Sequence, residues 1–459
     1  MSESTLNNAV NRHYLDKLLA LAENMEVLAT EDIFDAHSKK LLAKGTRLLP
    51  EHREILGSQK LKKPLEACVA LTGAVDTALI VATAARLINF SAPLGRILRA
   101  SQGAGPSPLA MLAEMEFGNA TSTMLTIAKC DGVSAFEHTV TVALLSICMA
   151  KKLRLTEADQ MTAGLAGMLH DIGELYVDPA YLAHDKRLQP HEWAHIVAHP
   201  RIGQMLVNEL ESFPLAVGRA VFEHHERFDG SGYPRQRKGN NISPAGQAVA
   251  AAELIAGVLH KDRPLERAEL ALKIMPGEFA HELVSAISSA LRMQESGHGG
   301  AQPEFHGAES VERLFWRIAS AIETGNNLLD GSTAKSPLTR ELLAQAIGRI
   351  ETIERAFIST GLDAYLDQGH ELPLCDGGTI AFEKAVATRE IQWRLRDIAR
   401  DLALHSATPD QKSIFAPLIH LLDDDTDSPL KLTPPKAEPK PVLRALAPTS
   451  FAGSQPYGA

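Results

Sequence analysis

The length, composition and charge of this chain exclude several classes of protein. Its 459 residues predict two or three domains, and 45% hydrophobic with 22% charged residues is ordinary for a globular protein with a sizeable core. A formal net charge of -10 argues against general binding of DNA or other nucleic acid and against a polybasic membrane anchor.

Cysteine usage and the N-terminal sequence indicate the compartment. The four cysteines show no CxxC spacing, which predicts a reduced protein without disulfides or a thiolate metal site. The first residues lack the basic and apolar segments of a secretory signal, and the chain has no run of eighteen apolar residues that would predict a membrane span. We therefore expect a cytoplasmic protein.

The first hundred residues predict a small α+β region, to which we assign a regulatory role as a hypothesis. A short amphipathic helix is expected over roughly residues 7–24, followed by a hairpin-like piece over 26–45. Residues 61–100 are predicted to be helical and apolar. The Gly, Ser and Pro residues of segment 101–108 predict a linker.

Residues 109–293 have a helical pattern almost throughout and are predicted to form the central domain. Thr156 and Asp159 resemble a helix N-cap with an acid at the third position, and that helix would end at His170. Further helices are expected to follow Pro190 and Pro214.

A helix predicted over residues 190–204 carries three histidines whose spacing alone does not identify metal ligands. His191, His195 and His199 repeat every four residues and would share one face, so any two could bind a metal. For His191 and His195 we favour a solvated or packed face.

The last third of the chain predicts a second linker, a helical region and a tail. Gly and Pro residues mark the linker over 294–308, and residues 309–425 have helical spacing with charged faces. Residues 426–459 are rich in Pro, Lys, Ala and Ser and are predicted to be disordered.

A set of histidines and carboxylates in the central domain carries the strongest chemical signal. Half of the chain's 18 histidines lie between residues 138 and 260. Imidazole and carboxylate are the usual ligands of divalent transition metals, and adjacent His-Asp and His-His pairs are rare by chance. The pieces that fit one metal site are His138, His170-Asp171-Ile172-Gly173, His199-Pro200, His224-His225-Glu226 and Asp229-Gly230-Ser231-Gly232-Tyr233-Pro234.

Such a set suits hydrolysis at two metals. A histidine that ends a helix and is followed by aspartate can place two ligands at one point, and the aspartate can bridge two cations. Two ions roughly 3.5–4 Å apart can clamp a phosphate and generate a hydroxide between them. The chain offers no GxSxG elbow or nucleophilic Cys-His pair, in agreement with metal-assisted hydrolysis. Taken alone, a lone histidine such as His138 is more often an ordinary polar residue than a ligand.

The strings His170-Asp171-Ile172-Gly173 and His224 to Pro234 resemble the HD-GYP family over roughly residues 110–290. This resemblance implies a mainly α fold, an HD-type helical bundle with the small N-terminal α+β region and additional C-terminal helices. It also implies a phosphodiesterase that hydrolyses cyclic di-GMP to pGpG or GMP by a metal-bridging hydroxide.

The resemblance also implies roles for individual residues. His170 and Asp171 would be the catalytic pair, with Asp171 bridging two divalent ions (Fe, Mn, Ni or Zn). The implied ligands are His138, His170, Asp171, His199, His224, His225 and Glu253. The implied substrate-binding residues are Gly232, Tyr233, Pro234 and Arg263.

The chain departs from the family pattern at several positions. Glu174 replaces the lysine that usually follows HDIG, so a negative charge faces the phosphodiester; the residue could be an extra ligand or a surface acid. Glu253 is one methylene longer than the usual aspartate, and Ala256 stands where a second aspartate is common. Members with three metals tend to have glutamate where this chain has Ser134, so we expect two metals.

These departures leave competing hypotheses open. The first is the phosphodiesterase; the second is an adaptor that binds nucleotide or signalling proteins with little turnover; the third keeps the chemistry on another cyclic dinucleotide or a nucleotide monoester. Arg235, Arg237 and Lys238 could attract the anionic substrate or serve loop solubility. The C-terminal helices could pair with a partner or a second copy, or pack against the catalytic domain.

Overall fold

Helices dominate the fold, which confirms the predicted mainly α class with a small N-terminal α+β region. A computed structural model describes residues 9–130, 132–183, 188–293, 310–331, 336–359, 377–406 and 408–423. Within these residues no single helix is long and apolar enough to cross a membrane, and one sharply bent pair, Thr77–Phe90 with Ala92–Ala100, passes on length and composition only.

The N-terminal region contains helices, short strands and a closed turn. Its helices and strands are α1 Arg12–Ala22, β1 Val27–Ala29, β2 Ile33–Phe34, β3 Lys40–Leu42, α2 Arg53–Gly57, β4 Val69–Leu71, α3 Thr77–Phe90 and α4 Ala92–Ala100. Strands β2 and β3 form the predicted hairpin, and the Asp35 carboxylate closes its turn by accepting from the backbone N–H of His37 and Lys39.

The prediction that residues 61–100 are helical is wrong over its first part. Val69–Leu71 is strand β4, which pairs antiparallel with β1, and helix begins only at Thr77 behind the N-cap Asp76. A short apolar run has the same pattern in a buried strand and a buried helix. The pairing with β1, more than forty residues away, decides between them.

The described residues of the central domain form ten α-helices. They are α5 Pro108–Ala113, α6 Asn119–Cys130, α7 Val133–Lys152, α8 Glu157–Leu169, α9 Pro190–Val197, α10 His199–Leu210, α11 Leu215–Glu223, α12 Pro244–Ala256, α13 Pro264–Lys273 and α14 His281–Arg292. The Thr156 hydroxyl accepts from the Asp159 N–H, so the predicted cap of α8 is confirmed. At Gly167 a Cβ atom would lie 3.0 Å from the Ala143 Cα, so glycine lets α8 approach α7 closely.

The helix predicted over residues 190–204 is two helices. Helix α9 ends at Val197 and α10 begins at His199, with Pro200 in its first turn. Proline has no N–H and its ring clashes with the carbonyl four residues earlier, which disfavours a continuous helix. His199 therefore lies at a helix start rather than on one face with His191 and His195.

Four helices lie in the described part of residues 309–425, where the sequence predicts helical spacing. They are α15 Val311–Asp330, α16 Pro337–Ser359, α17 Gly377–His405 and α18 Pro409–Leu422. Leu314, Ile350, Leu395 and Phe415 are fully buried in a hydrophobic cluster of their own, which Met275 of the central domain joins. The predicted linker 294–308 and tail 426–459 lie outside the described residues, and the domain boundaries stay a prediction.

The N-terminal region packs against the turn that follows the His170-Asp171 pair. The Tyr176 hydroxyl donates to the Glu66 carboxylate, and the Tyr14 and Tyr176 rings stack with centroids 5.4 Å apart. Asn11 Nδ2 donates to the Tyr176 carbonyl at 3.2 Å. Burial raises the pKa of Glu66 above its ordinary value, although the Tyr176 hydroxyl lowers it.

We expect Glu66→Gln to remove a pH-dependent loss of stability. A carboxyl whose pKa is raised on folding contributes stability below its unfolded pKa, about 4.5, and loses it as pH rises through the folded pKa. The melting temperature of the wild type should therefore fall relative to that of Glu66→Gln as pH rises above about 4.5. Thermal unfolding of both full-length proteins at several pH values measures this difference.

The control for this prediction is Glu54→Gln, which removes an exposed carboxylate from the same region. It corrects for the general loss of one negative charge. If the difference in melting temperature between wild type and Glu66→Gln stays constant across the pH series, burial of the Glu66 carboxyl does not make stability depend on pH, and the prediction is wrong.

Candidate metal centre

The seven predicted ligands come from five helices, mostly from helix ends. Their positions are His138 on α7, His170 and Asp171 at the end of α8, His199 at the start of α10, His224 and His225 at the end of α11, and Glu253 on α12. Helix α8 ends beside α10 because Gly173 leaves room: a Cβ atom there would lie 2.1 Å from the His199 carbonyl oxygen. All seven side chains converge on one site.

Asp171, His199, His224 and His225 form the first ligand group. One donor atom from each lies within 4.8 Å of the others. Asp171 Oδ1 is 3.3 Å from His199 Nε2 and 3.5 Å from His224 Nε2, and these two nitrogens are 3.1 Å apart. This geometry can hold one cation.

His138, His170 and Asp171 form the second ligand group, to which Glu253 adds an oxygen. Asp171 Oδ2 is 2.9 Å from His170 Nε2. Glu253 Oε2 lies 3.0 Å from His138 Nε2 and 3.1 Å from His170 Nε2. The two oxygens of Asp171 thus face different groups, so this carboxylate could bridge two ions.

Backbone carbonyls orient three of the imidazoles. His170 Nδ1 donates to the Gly167 carbonyl at 2.9 Å. In the same way, His199 Nδ1 donates to the Ile196 carbonyl at 2.7 Å, and His224 Nδ1 donates to the Val221 carbonyl at 2.6 Å. Because a carbonyl cannot donate, Nδ1 carries the proton and the Nε2 lone pair points into the site.

The atoms that meet in the site are therefore nearly all acceptors. Buried His170 Nε2 has carboxylate oxygens beside it but no hydrogen-bond partner of good geometry among the described residues. Lone pairs this close need a cation or extra protons between them. The donor set of imidazole nitrogens and carboxylate oxygens fits Fe, Mn, Ni or Zn.

The pKa shifts agree with a site that binds cations. Burial lowers the pKa of His170, but the charges of Asp171 and Glu253 outweigh it and hold that pKa well above its usual value. Despite burial, the neighbouring histidines hold the pKa of Asp171 and of Glu253 well below the ordinary range. Burial, with the charge of His224, lowers the pKa of His225 well below its usual value, so the predicted ligand His225 is neutral.

Glu174 lies beside the first ligand group rather than on an exposed surface. Burial, together with the charge of Asp171, raises the pKa of Glu174 to about 7, although the charge of His199 opposes this shift. The residue is therefore close enough to act on the site, either as a further oxygen ligand or as a negative charge next to the substrate.

The loop over residues 229–234, which we call the GYP loop, closes over the first ligand group. The Tyr233 N–H donates to the His225 carbonyl at 3.0 Å, and the two rings stack with centroids 4.5 Å apart. At Gly232 a Cβ atom would lie 2.2 Å from the same carbonyl oxygen, so only glycine allows this approach. The Glu226 carboxylate accepts from the backbone N–H of Arg235 and Arg237, which holds the rest of the loop.

A cavity of about 900 Å³ adjoins the metal centre. Gly232 and Tyr233 line it, together with the predicted ligands His225 and Glu253. Pro234 and Arg263, also expected to bind substrate, are not among its lining residues. Arg263 instead lies with its guanidinium carbon 4.1 Å from the centroid of the Phe382 ring on α17.

The three basic residues that follow the GYP loop do not all face the cavity. Arg235 and Lys238 line the cavity, whereas Arg237 forms an ion pair with buried Glu223 and lies over the Phe222 ring. Arg237 therefore stabilises the loop.

The sequence-based reasoning missed the residues that other helices contribute to the cavity. Trp193 of α9, Arg349 of α16 and Arg400 of α17 all line it. Arg349 also donates to the Ser231 carbonyl at 3.2 Å, across 118 residues of sequence. No local motif marks these side chains, because only tertiary packing brings them to the site.

Comparisons with known proteins give one family match and several relatives that are named phosphodiesterases. Residues 122–281 match a family model described as HD domain. The chain is 33% identical over 164 residues to a 3'3'-cGAMP-specific phosphodiesterase of Vibrio cholerae, covering 34% of this chain and 35% of the relative. It is 27% identical over 212 residues to a cyclic di-GMP phosphodiesterase of Pseudomonas aeruginosa, covering 42% of this chain and 51% of the relative.

The alignments therefore span about half or less of these curated relatives. Among solved structures, an HDG"Y"P protein from Bdellovibrio bacteriovorus aligns with 58% of this chain and 95% of its own, at 18% identity and a TM-score of 0.32.

Proposed function

We propose, from the match of residues 122–281 to the HD domain family, that the chain is a metal-dependent phosphodiesterase of the HD-GYP type that acts on cyclic dinucleotides, with cyclic di-GMP as substrate and pGpG or GMP as product. One observation carries the proposal. Two ligand groups share the Asp171 carboxylate at the wall of a cavity of about 900 Å³. The names of the relatives support the substrate class.

Divalent ions bound there would lower the pKa of water from about 15.7 to about 7 and polarise the phosphodiester. The chain's own residues would hold the ions and orient the substrate. His170, His199 and His224 keep their Nε2 lone pairs aimed at the site through their Nδ1–H bonds to backbone carbonyls. Arg235 and Lys238 attract the anionic substrate to the cavity.

Metal-loaded full-length protein should hydrolyse cyclic di-GMP. The purified protein is loaded anaerobically with Fe or Mn, its metal content is measured, and the products are separated by chromatography. We expect two ions per chain and linear pGpG or GMP. A panel with 3'3'-cGAMP, cyclic di-AMP and a nucleotide monoester identifies the preferred substrate. If no member is hydrolysed by protein that holds two ions, the proposal is wrong.

A second candidate function is a nucleotide-binding adaptor with little turnover. Glu174 favours it, because a third carboxyl beside Asp171 and Glu253 makes the site more negative towards a phosphodiester. Binding of cyclic di-GMP without cleavage, by protein that contains both metals, would support the adaptor.

We also propose a cytoplasmic location and a role for the C-terminal helices. Cys68, Cys130 and Cys148 are free thiols, in agreement with a reducing cytoplasm. We propose that the helical region 309–425 is a domain that completes the substrate cavity, since α16 and α17 contribute lining residues.

A further inference from the structure

The cavity beside the metal centre has a second wall that the HD domain does not supply. Helices α16 and α17 form it, and Arg400 of α17 faces Trp193 of α9 there. We propose that Trp193 and Arg400 form a subsite for the half of a cyclic dinucleotide that lies away from the metals. This inference deepens the proposed function and rests on it.

A continuous row of aromatic contacts joins this subsite to the metal centre. The Arg400 guanidinium carbon lies 4.8 Å from the centroid of the Trp193 ring. Trp193 meets Tyr233 edge to face at 5.6 Å, and Tyr233 stacks on the ligand His225 at 4.5 Å. A substrate whose phosphodiester lies at the metals can therefore extend along these rings to Arg400.

The charges of the wall leave Arg400 available to an anion. Arg349 is held by Asp397 at 2.8 Å and Asp401 at 3.0 Å. Arg394 is likewise held by Glu278 and Glu390. Arg400 has no carboxylate partner in the part of the chain that the structure describes, and its ring contact leaves its N–H groups free to bind phosphate.

The chemistry of the substrate matches this arrangement. A cyclic dinucleotide has two phosphodiesters and two bases, and only one phosphodiester can lie at the metals. A guanidinium binds phosphate with two parallel hydrogen bonds, and both a guanidinium plane and an indole stack on nucleobases. Trp193 with Arg400 thus offers a stacking surface and a charge to the second nucleotide.

The alternative is a purely structural role, in which the contact of Arg400 with Trp193 only packs α17 against α9. A purely structural contact would affect folding and metal binding, whereas a subsite affects substrate affinity. The matched control is Arg389→Ala, which removes the same charge from an exposed position of α17 that does not line the cavity.

The test measures affinity with and without metal. For Arg400→Ala we expect the Kd of metal-free full-length protein for cyclic di-GMP, from calorimetry, to rise about 10-fold, since stacking contributes about 1–3 kcal/mol per base. The KM of the metal-loaded protein should rise similarly with kcat nearly unchanged. Arg400→Lys should recover part of the affinity, because it keeps the charge and loses the planar group.

Metal content and melting temperature of Arg400→Ala should equal those of wild type and Arg389→Ala. Unchanged Kd and KM would overturn the inference and leave the proposed phosphodiesterase intact. An equal effect of Arg389→Ala, or a loss of metal or stability in Arg400→Ala, would also overturn it. A wild type that neither binds nor hydrolyses any cyclic dinucleotide would sink the proposed function and the inference together.

Discussion

Asp171→Asn should lower phosphodiester hydrolysis by about 1,000-fold or more, equivalent to about 4 kcal/mol of activation free energy. Asp171 Oδ1 faces His199 and His224, while Oδ2 faces His170. An amide has one oxygen instead of two and carries no negative charge, so it cannot bridge two cations. Bound metal should fall from two ions per chain to at most one, measured by elemental analysis beside the turnover rate.

Asp159→Asn is the matched control for this change. It makes the same substitution on α8, at an exposed position in the first turn. Its metal content and turnover should equal those of wild type. If Asp171→Asn keeps both ions and its turnover, then the carboxylate does not bridge, and the two ligand groups do not form one catalytic centre.

The convergence of the ligands could be foreseen from sequence because the residues occur in short motifs at helix ends. His170 follows the predicted helix that Thr156 caps, and His224 follows the helix after Pro214. Helix ends meet where helices pack side by side, so motifs at helix ends indicate which residues lie close together in the fold. How the ligands divide into two groups required coordinates.

The longer side chain of Glu253 illustrates what a motif leaves open. From the substitution alone, either a metal would shift or α12 would retreat. Alanines on α12 pack fully buried at Ala248, Ala251 and Ala252, and Glu253 Oε2 reaches both His138 and His170. The longer side chain therefore reaches both histidines from a helix that is packed in the core.

Other parts of the structure do not follow from hydrophobic periodicity or from local motifs. The break before His199 and the strand at Val69–Leu71 follow from proline geometry and strand pairing that periodicity does not reveal. The wall with Arg349 and Arg400 comes from helices more than one hundred residues after the GYP loop. Arg263 matched a motif, yet it lies against Phe382 instead of in the cavity.

Gly173→Ala should disrupt the metal centre by packing alone. Its Cβ atom would lie 2.1 Å from the His199 carbonyl oxygen and 2.9 Å from the Gly203 N, both of which belong to the backbone of α10. Backbone atoms cannot rotate away as a side chain can, so the start of α10 must move, and His199 moves with it. We expect destabilisation of about 3 kcal/mol, at the upper end for overpacking, with loss of metal from the first ligand group.

Thermal unfolding and metal analysis of Gly173→Ala measure both effects, and Gly103→Ala is the control because a Cβ atom there meets nothing within 4 Å. The control should match wild type in both measurements. Gly173 does not have a positive φ, so its requirement is for space and not for conformational freedom. Gly173→Ser should therefore fail as alanine does. A Gly173→Ala protein with normal melting temperature and two ions would show that α10 does not have to approach Gly173 this closely to bring His199 into the site.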